Sequence, residues 1–175
     1  KALPIWSHMA NENWCMIGYH SVSVLADAVA KGLPLDKEEV LKAMVSSSTI
    51  PYLDGTGEYM EKGYVALDHN GSAASLTLEY AYDDWPIYHT ALLAGNRSVA
   101  DTYKKRAANY TNVFDTNMGY ARPRYADGRW KENFNLLNTH GEGFIEGNAL
   151  NYSFYVPQDV DNMIRLMGGD KSFVS

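Results

Sequence analysis

The sequence predicts an all-α chain, made of helical hairpins that form part of an α/α toroid with long loops on one face. Three observations carry this. Apolar residues recur at helical spacing in successive segments, each closed by Gly or Pro. The helical segments come in pairs joined by short turns, and the pairs alternate with long loops. No internal repeat of the period used by stacked solenoids is present.

The elements follow in order. Over 19–31, Val22, Leu25, Ala26 and Val29 keep helical spacing, Gly32 supplies the stop, and Pro34 lies just beyond it. Over 35–45, Asp36 is the candidate cap, Lys37, Glu38 and Glu39 are solvated, and Val40, Leu41 and Met44 form the apolar stripe. These two segments make a tight hairpin. Residues 46–71 read as one long irregular stretch with Pro51, Gly55, Gly57, Gly63 and Gly71 set among Tyr52, Tyr59 and Tyr64. A loop of that length is a candidate cleft rim. Residues 72–95 read as a helix with Leu76, Leu78, Tyr80, Trp85, Tyr88 and Leu92 on a broad apolar surface, and Pro86 is expected to kink or split it near Asp84. A further helix is expected over 99–114, with Ala100, Tyr103, Ala107 and Tyr110 on one face. Residues 118–138 read as loop with room for a short strand or two. A short helix over 146–155 ends at Val156-Pro157, and Asp159 caps a last helix through Met167, stopped by Gly168 and Gly169.

Hydrophobic residues make up 46% of the 175 residues, which excludes a disordered chain. Thirteen Tyr, five Phe and four Trp suit core anchors first and a sugar-binding cleft second. A net charge of −6 argues against nucleic acid, which needs a basic patch. The densest basic run, Lys104-Lys105-Arg106, is expected on the solvated face of a helix. Cys15 is the only cysteine, so no intrachain disulfide is open to it, and beside Trp14 and Met16 it reads as a small buried hydrophobe. There is no apolar run of the roughly 18 residues that a membrane span needs, and no secretory leader pattern. The chain opens on Lys1 without an initiator Met and reads as an excerpt of a longer one.

The strongest chemical cluster runs from His140 to Asn148, where Glu142 and Glu146 stand among three glycines. Paired carboxylates push one member's pKa upward, as a general acid requires. The expected helix start at Glu146 opposes this, because the positive end of a helix favours a carboxylate. Glu142 is the candidate neighbour that offsets it. The alternative is a helix-start Glu in a Gly-rich turn. Asp83-Asp84-Trp85 fits a metal or sugar site, or two paired acids beside a buried Trp. Asp68-His69-Asn70 fits a metal trio, or a cap for the next helix. The five His residues are dispersed, and no nucleophile elbow, phosphate loop or C-x-x-C is present. The four N-x-S/T sequons, at Asn70, Asn96, Asn109 and Asn151, read as chance occurrences.

The order of several motifs resembles the family 92 α-mannosidases. Leu3-Pro-Ile-Trp6, Cys15-Met-Ile-Gly-Tyr-His20, Val24-Leu-Ala-Asp27 and Lys31-Gly32 are similar to one family segment. Leu78-Glu-Tyr-Ala-Tyr-Asp-Asp-Trp85 resembles a second, Glu146-Gly-Asn-Ala149 a third, and Val156-Pro-Gln-Asp159 with Leu166-Met-Gly-Gly169 a fourth. The resemblance implies a calcium-dependent (Ca2+) inverting exo-α-mannosidase, α-1,2 by expectation, acting on mannose-containing oligosaccharides. It implies a β-sandwich followed by an (α/α)6 toroid, with the active site between them.

On that resemblance the chain is a single partial toroid over 1–175, with the β-sandwich and the C-terminal half of the toroid outside it. Glu146 is implied as the catalytic acid, with Asn148, Asn151, Glu142 and His20 as sugar contacts. The general base and the calcium ligands are expected in chain that lies elsewhere. Two departures stand out. Leu150 and Asn151 replace the family's Trp and Gln, and Pro86 stands where Cys is frequent. The isolated chain is expected to be inactive and to self-associate through faces left open, and the whole protein to be periplasmic, secreted or on a bacterial surface. The alternatives are a noncatalytic carbohydrate-binding or scaffold module, and a helical glycosidase of another family with the same toroid. A downstream base motif would separate the first of these from an enzyme.

Overall fold

The computed structural model describes residues 17–174; Leu3–Trp6 and Cys15 lie outside that range. The described residues are mostly helical. Helices α1 (Ser21–Ala30) and α2 (Lys37–Ser47) form the expected hairpin. Gly32, in the left-handed region, ends the first, and Asp36 caps the second by accepting from the Glu38 and Glu39 N–H groups. Helix α3 (Thr56–Lys62) follows, then α4 (Ala73–Leu93), α5 (Arg97–Arg106) and a 3-10 turn, Asn109–Val113. Strands β1 (Phe114–Asp115) and β2 (Tyr120–Ala121) pair antiparallel, and helices α6 (Ala149–Tyr152), α7 (Val160–Leu166) and α8 (Asp170–Phe173) close the order.

Helix α4 is the axis. Helices α1, α2 and α5 and the 3-10 turn all pack against it. One face of α4, with Leu76, Tyr80 and Ile87, joins Val22, Met44, Tyr59 and Tyr103 in one core. The opposite face, with Ala74, Leu78 and Ala81, joins Tyr110, Val113, Phe144 and Val156 in a second. A helix that is apolar almost all round must be buried on both sides, and that is where α4 lies.

Several expectations are corrected. The stretch 46–71 is not irregular throughout, because Gly55 and Gly63 are the caps of α3 rather than loop markers. Both are left-handed, and the Gly63 N–H closes the helix on the Tyr59 carbonyl. Pro86 does not split α4. It removes the one donor that would meet the Tyr82 carbonyl, and packing on both faces carries the helix through. The helix expected over 99–114 stops at Arg106, and its end becomes the 3-10 turn, where Asn112 donates to the Gly63 carbonyl. Trp85 is not buried: it is 38% exposed and lines a hollow of about 250 Å3 with Tyr88 and Lys104. Asp159 precedes α7 without capping it, because its carboxylate accepts from the Tyr110 hydroxyl instead. Arg106 leaves the solvated face expected for its basic run and turns inward. Within 118–138, β2 and an Arg124–Trp130 bridge take the room left for short strands, while β1, the partner of β2, lies just before it at the end of the stretch expected to be helix.

Candidate active site

The Gly-rich segment before α6 is laid across the start of α4. Ala74 and Ser75 both donate their N–H to the Gly143 carbonyl, and Ile145 donates back to the Ser75 hydroxyl. Gly143 is left-handed, and a Cβ there would stand 2.8 Å from Pro123, so only glycine fits. Phe144 is buried, with its ring beside Phe134 and Tyr152.

Glu146 comes next, exposed, with φ at +53°. It is not at a helix start. Asn148 is the cap of α6, accepting from the Asn151 N–H, and α6 has only four residues. Helix α6 therefore begins at Ala149, beyond Glu146. Asn148 is half-buried and Asn151 is exposed on the same short helix. Glu142 is buried, with Lys131 Nζ 3.1 Å from one oxygen and the Asn138 amide donating to the other at 3.3 Å. A carboxylate so paired exerts little like-charge push on a neighbour.

His20 lies on the other side of the same α4 face. Its Nδ1 is 2.6 Å from Asp83 Oδ1 and its Nε2 is 3.0 Å from Glu79 Oε2. Glu79 and Asp83 are four residues apart, so they share one helix face. Asp83 also accepts from the Tyr19 N–H at 2.6 Å. Gly18 is left-handed, and a Cβ there would meet Asp83 at 2.7 Å. Burial works to lower the His20 pKa, but hydrogen bonds to Asp83 and Glu79 outweigh it and raise it to about 10. Asp83 is pushed up by its own burial, with His20 opposing. The Tyr152 hydroxyl donates to the other Glu79 oxygen at 3.4 Å, and its phenol is pushed up to about 12, by burial first, then by Glu79 and also by Glu146.

Asp84 is buried in a separate network. Tyr19 and Tyr59 donate their hydroxyls to it at 2.7 and 2.8 Å, and Arg106 Nε donates at 2.9 Å. Arg106 also lies over the Tyr59 and Tyr103 rings and donates to the Ser48 carbonyl. Of the two readings of Asp83-Asp84-Trp85, paired acids is the one the geometry supports. Asp68 accepts from the Ala126 N–H, His69 stands against Glu58, and Asn70 accepts from the Ser72 N–H. Among the described residues no three ligands of the His, Cys, Asp or Glu kind are placed to hold a metal ion. Ser75, Glu79 and Tyr152 went unread in the sequence as site residues. The signal for Glu79 was its i, i+4 spacing to Asp83.

A mostly helical scaffold thus holds an exposed carboxylate on a pinned glycine-rich turn. The chain belongs to glycosyl hydrolase family 92: the pattern of that family's catalytic domain matches residues 1–175. The family GH92 α-mannosidase from Bacteroides thetaiotaomicron, solved in complex with mannoimidazole, is 37% identical, superposes with a TM-score of 0.92, and is matched over 99% of this chain and 24% of its own. A family GH92 inverting mannosidase from the same bacterium is 32% identical with a TM-score of 0.87, over 95% of this chain and 24% of its own. An uncharacterized secreted glycosidase of Arthroderma benhamiae is 25% identical over 90% of this chain and 25% of its own length. The chain thus spans about a quarter of each of these relatives.

Proposed function

We propose that this chain is the part of an inverting exo-α-mannosidase that carries the general acid, Glu146. The observation behind this reading is the turn itself. Glu146 is presented outward from a backbone fixed on both sides, in a chain whose solved relatives are mannosidases. In the reaction Glu146 donates its proton to the glycosidic oxygen as that bond to the anomeric carbon breaks. A base outside this chain takes a proton from the water that attacks the opposite face. Inversion needs the two carboxyl groups roughly 6.5–9.5 Å apart, to leave room for that water.

Asn148 and Asn151 would meet sugar hydroxyls beside the acid, while Glu142, buried on Lys131 and Asn138, and His20, with both nitrogens on Asp83 and Glu79, would shape the site from behind rather than touch sugar. Leu150, 36% exposed, presents an aliphatic surface where a Trp would stack, so the fit to a second sugar differs from that of a Trp-bearing relative. Terminal α-1,2-mannosides are the proposed substrates. The calcium implied by the family resemblance would be held by residues beyond this chain, and no step here depends on it. The helices are proposed to form one part of an (α/α)6 toroid, completed together with a β-sandwich by the rest of the protein. A secreted or periplasmic location fits the secreted relative. No helix among the described residues is long and apolar enough to cross a membrane.

The test is Glu146→Gln in the complete enzyme. Loss of a general acid costs roughly 10²- to 10⁴-fold on substrates with poor leaving groups. Activated aryl mannosides need no proton and should lose far less. Equal losses on the two would overturn the assignment.

A further inference from the structure

Helix α4 does more than fill the core. Several contacts that fix the Glu146 turn end on one face of its first two turns. Before Glu146, the Gly143 carbonyl accepts from Ala74 and Ser75, and Ile145 donates to the Ser75 hydroxyl. After Glu146, Gly147 faces the Tyr152 ring closely enough that a Cβ there would stand 3.4 Å from it, and the Tyr152 hydroxyl donates to Glu79 at 3.4 Å. Ser75 and Glu79 are four residues apart and share that face.

Glu79 is an expensive residue at this place. It is 7% exposed, and a buried carboxylate is costly unless paired. Each oxygen has one neighbour: His20 Nε2 stands 3.0 Å from one as an ion-pair contact, and the Tyr152 hydroxyl donates to the other at 3.4 Å. Rings close the space around it, with Tyr82 edge-on to Tyr155 at 5.7 Å and Tyr155 edge-on to Tyr152 at 6.4 Å. His20 in turn cannot swing away, because Asp83 holds its other nitrogen at 2.6 Å. The chain of contacts is Asp83, His20, Glu79, Tyr152, and then the backbone that carries Glu146.

We propose that Glu79 is a positioning residue for Glu146: His20 locks it, it holds Tyr152, and Tyr152 fixes the exit side of the turn. Ser75 fixes the entry side. Glu79 never touches substrate in this arrangement; it sets where the acid stands. The proposal rests on the reading of Glu146 as general acid.

The experiment uses the complete enzyme with Glu79→Gln, Tyr152→Phe, the double variant and Glu146→Gln side by side. Each is assayed on a mannobioside and on an activated aryl mannoside, with circular dichroism to confirm folding. Misplacing a reacting group by about 1 Å costs on the order of 100-fold. E79Q and Y152F should each lower kcat on the mannobioside by roughly 10- to 100-fold with KM unchanged. The loss on the aryl mannoside should be several-fold smaller, and the double variant no worse than the weaker single, because the two act in one series. If E79Q does not fold, Y152F, which keeps the ring, decides alone. Unchanged kcat, a KM effect alone, or equal losses on both substrates for E79Q and Y152F would overturn the positioning role. If E146Q discriminates between the substrates while E79Q and Y152F do not, the acid stands and only the positioning role falls. If E146Q loses equally on both, the acid reading fails and the positioning role falls with it.

Discussion

At the scale of the residue, Glu146 was legible and His20 only half so. The glutamate stood out because three glycines crowd around it in the sequence. Its left-handed backbone did not, since local pattern pointed to a helix start, and the Asn148 cap puts that start three residues on, at Ala149. His20 could be named from its motif, yet its partners lie about sixty residues away in sequence, and no local rule links them. Its pairing has a pH consequence. The fold raises the His20 pKa from 6.5 to about 10. The charged imidazole is therefore favoured by folding, and its contribution is fully present below pH 6.5 and lost as the pH rises through about 10. Urea unfolding of wild type and His20→Asn across that window should show the stability gap narrowing steadily. A gap that widens toward pH 10 would contradict the pairing.

At the scale of the element, the strong periodic helices were readable and their ends were not. The apolar stripes of α1 and α2 and the cap at Asp36 stood as expected, because each depends on neighbours a few residues away. Helix α3 was hidden because glycines mark both loops and caps, and only the fold shows which. The proline penalty at Pro86 was overridden by burial on two sides of α4. Arg106 went astray for the same reason: the pattern around it is basic and solvated, but Asp84 draws it into the space between α3, α4 and α5. Removing one member of a buried ion pair costs about 3–5 kcal/mol. Arg106→Met should thus lower the thermal midpoint by roughly 5–20 °C. Adding Asp84→Asn should recover much of that loss, since the stranded charge disappears. A variant that melts at the wild-type temperature would show that the network carries no weight.

At the scale of the whole molecule, the ordered motifs made the family legible, while the two-sided core around α4 became visible only in three dimensions. Val24, Leu33, Leu93, Leu137 and Phe154 are at least half exposed. Apolar surface of this kind on a chain that is a quarter the length of its relatives suits contact with the remainder of such a protein. Light scattering on the isolated chain should accordingly show dimers or larger species. The same preparation, given calcium and mannosides, should release no mannose if, as proposed, the base lies outside this chain. Measurable turnover would overturn the division of acid and base proposed above.

The pins on the Glu146 turn also set an order of events during synthesis. Ile145 reaches back 70 residues to Ser75, and Tyr152 reaches back 73 to Glu79. Contacts across so long a loop form late, after the local helices have already given up their chain entropy. On a ribosome, α4 emerges and begins to collect α1 and α2 well before the Glu146 turn takes shape. The nascent chain therefore acquires the α4 scaffold before the Glu146 turn, and an unfinished chain that ends before Tyr152 carries Glu146 without the contact that holds the exit side of its turn.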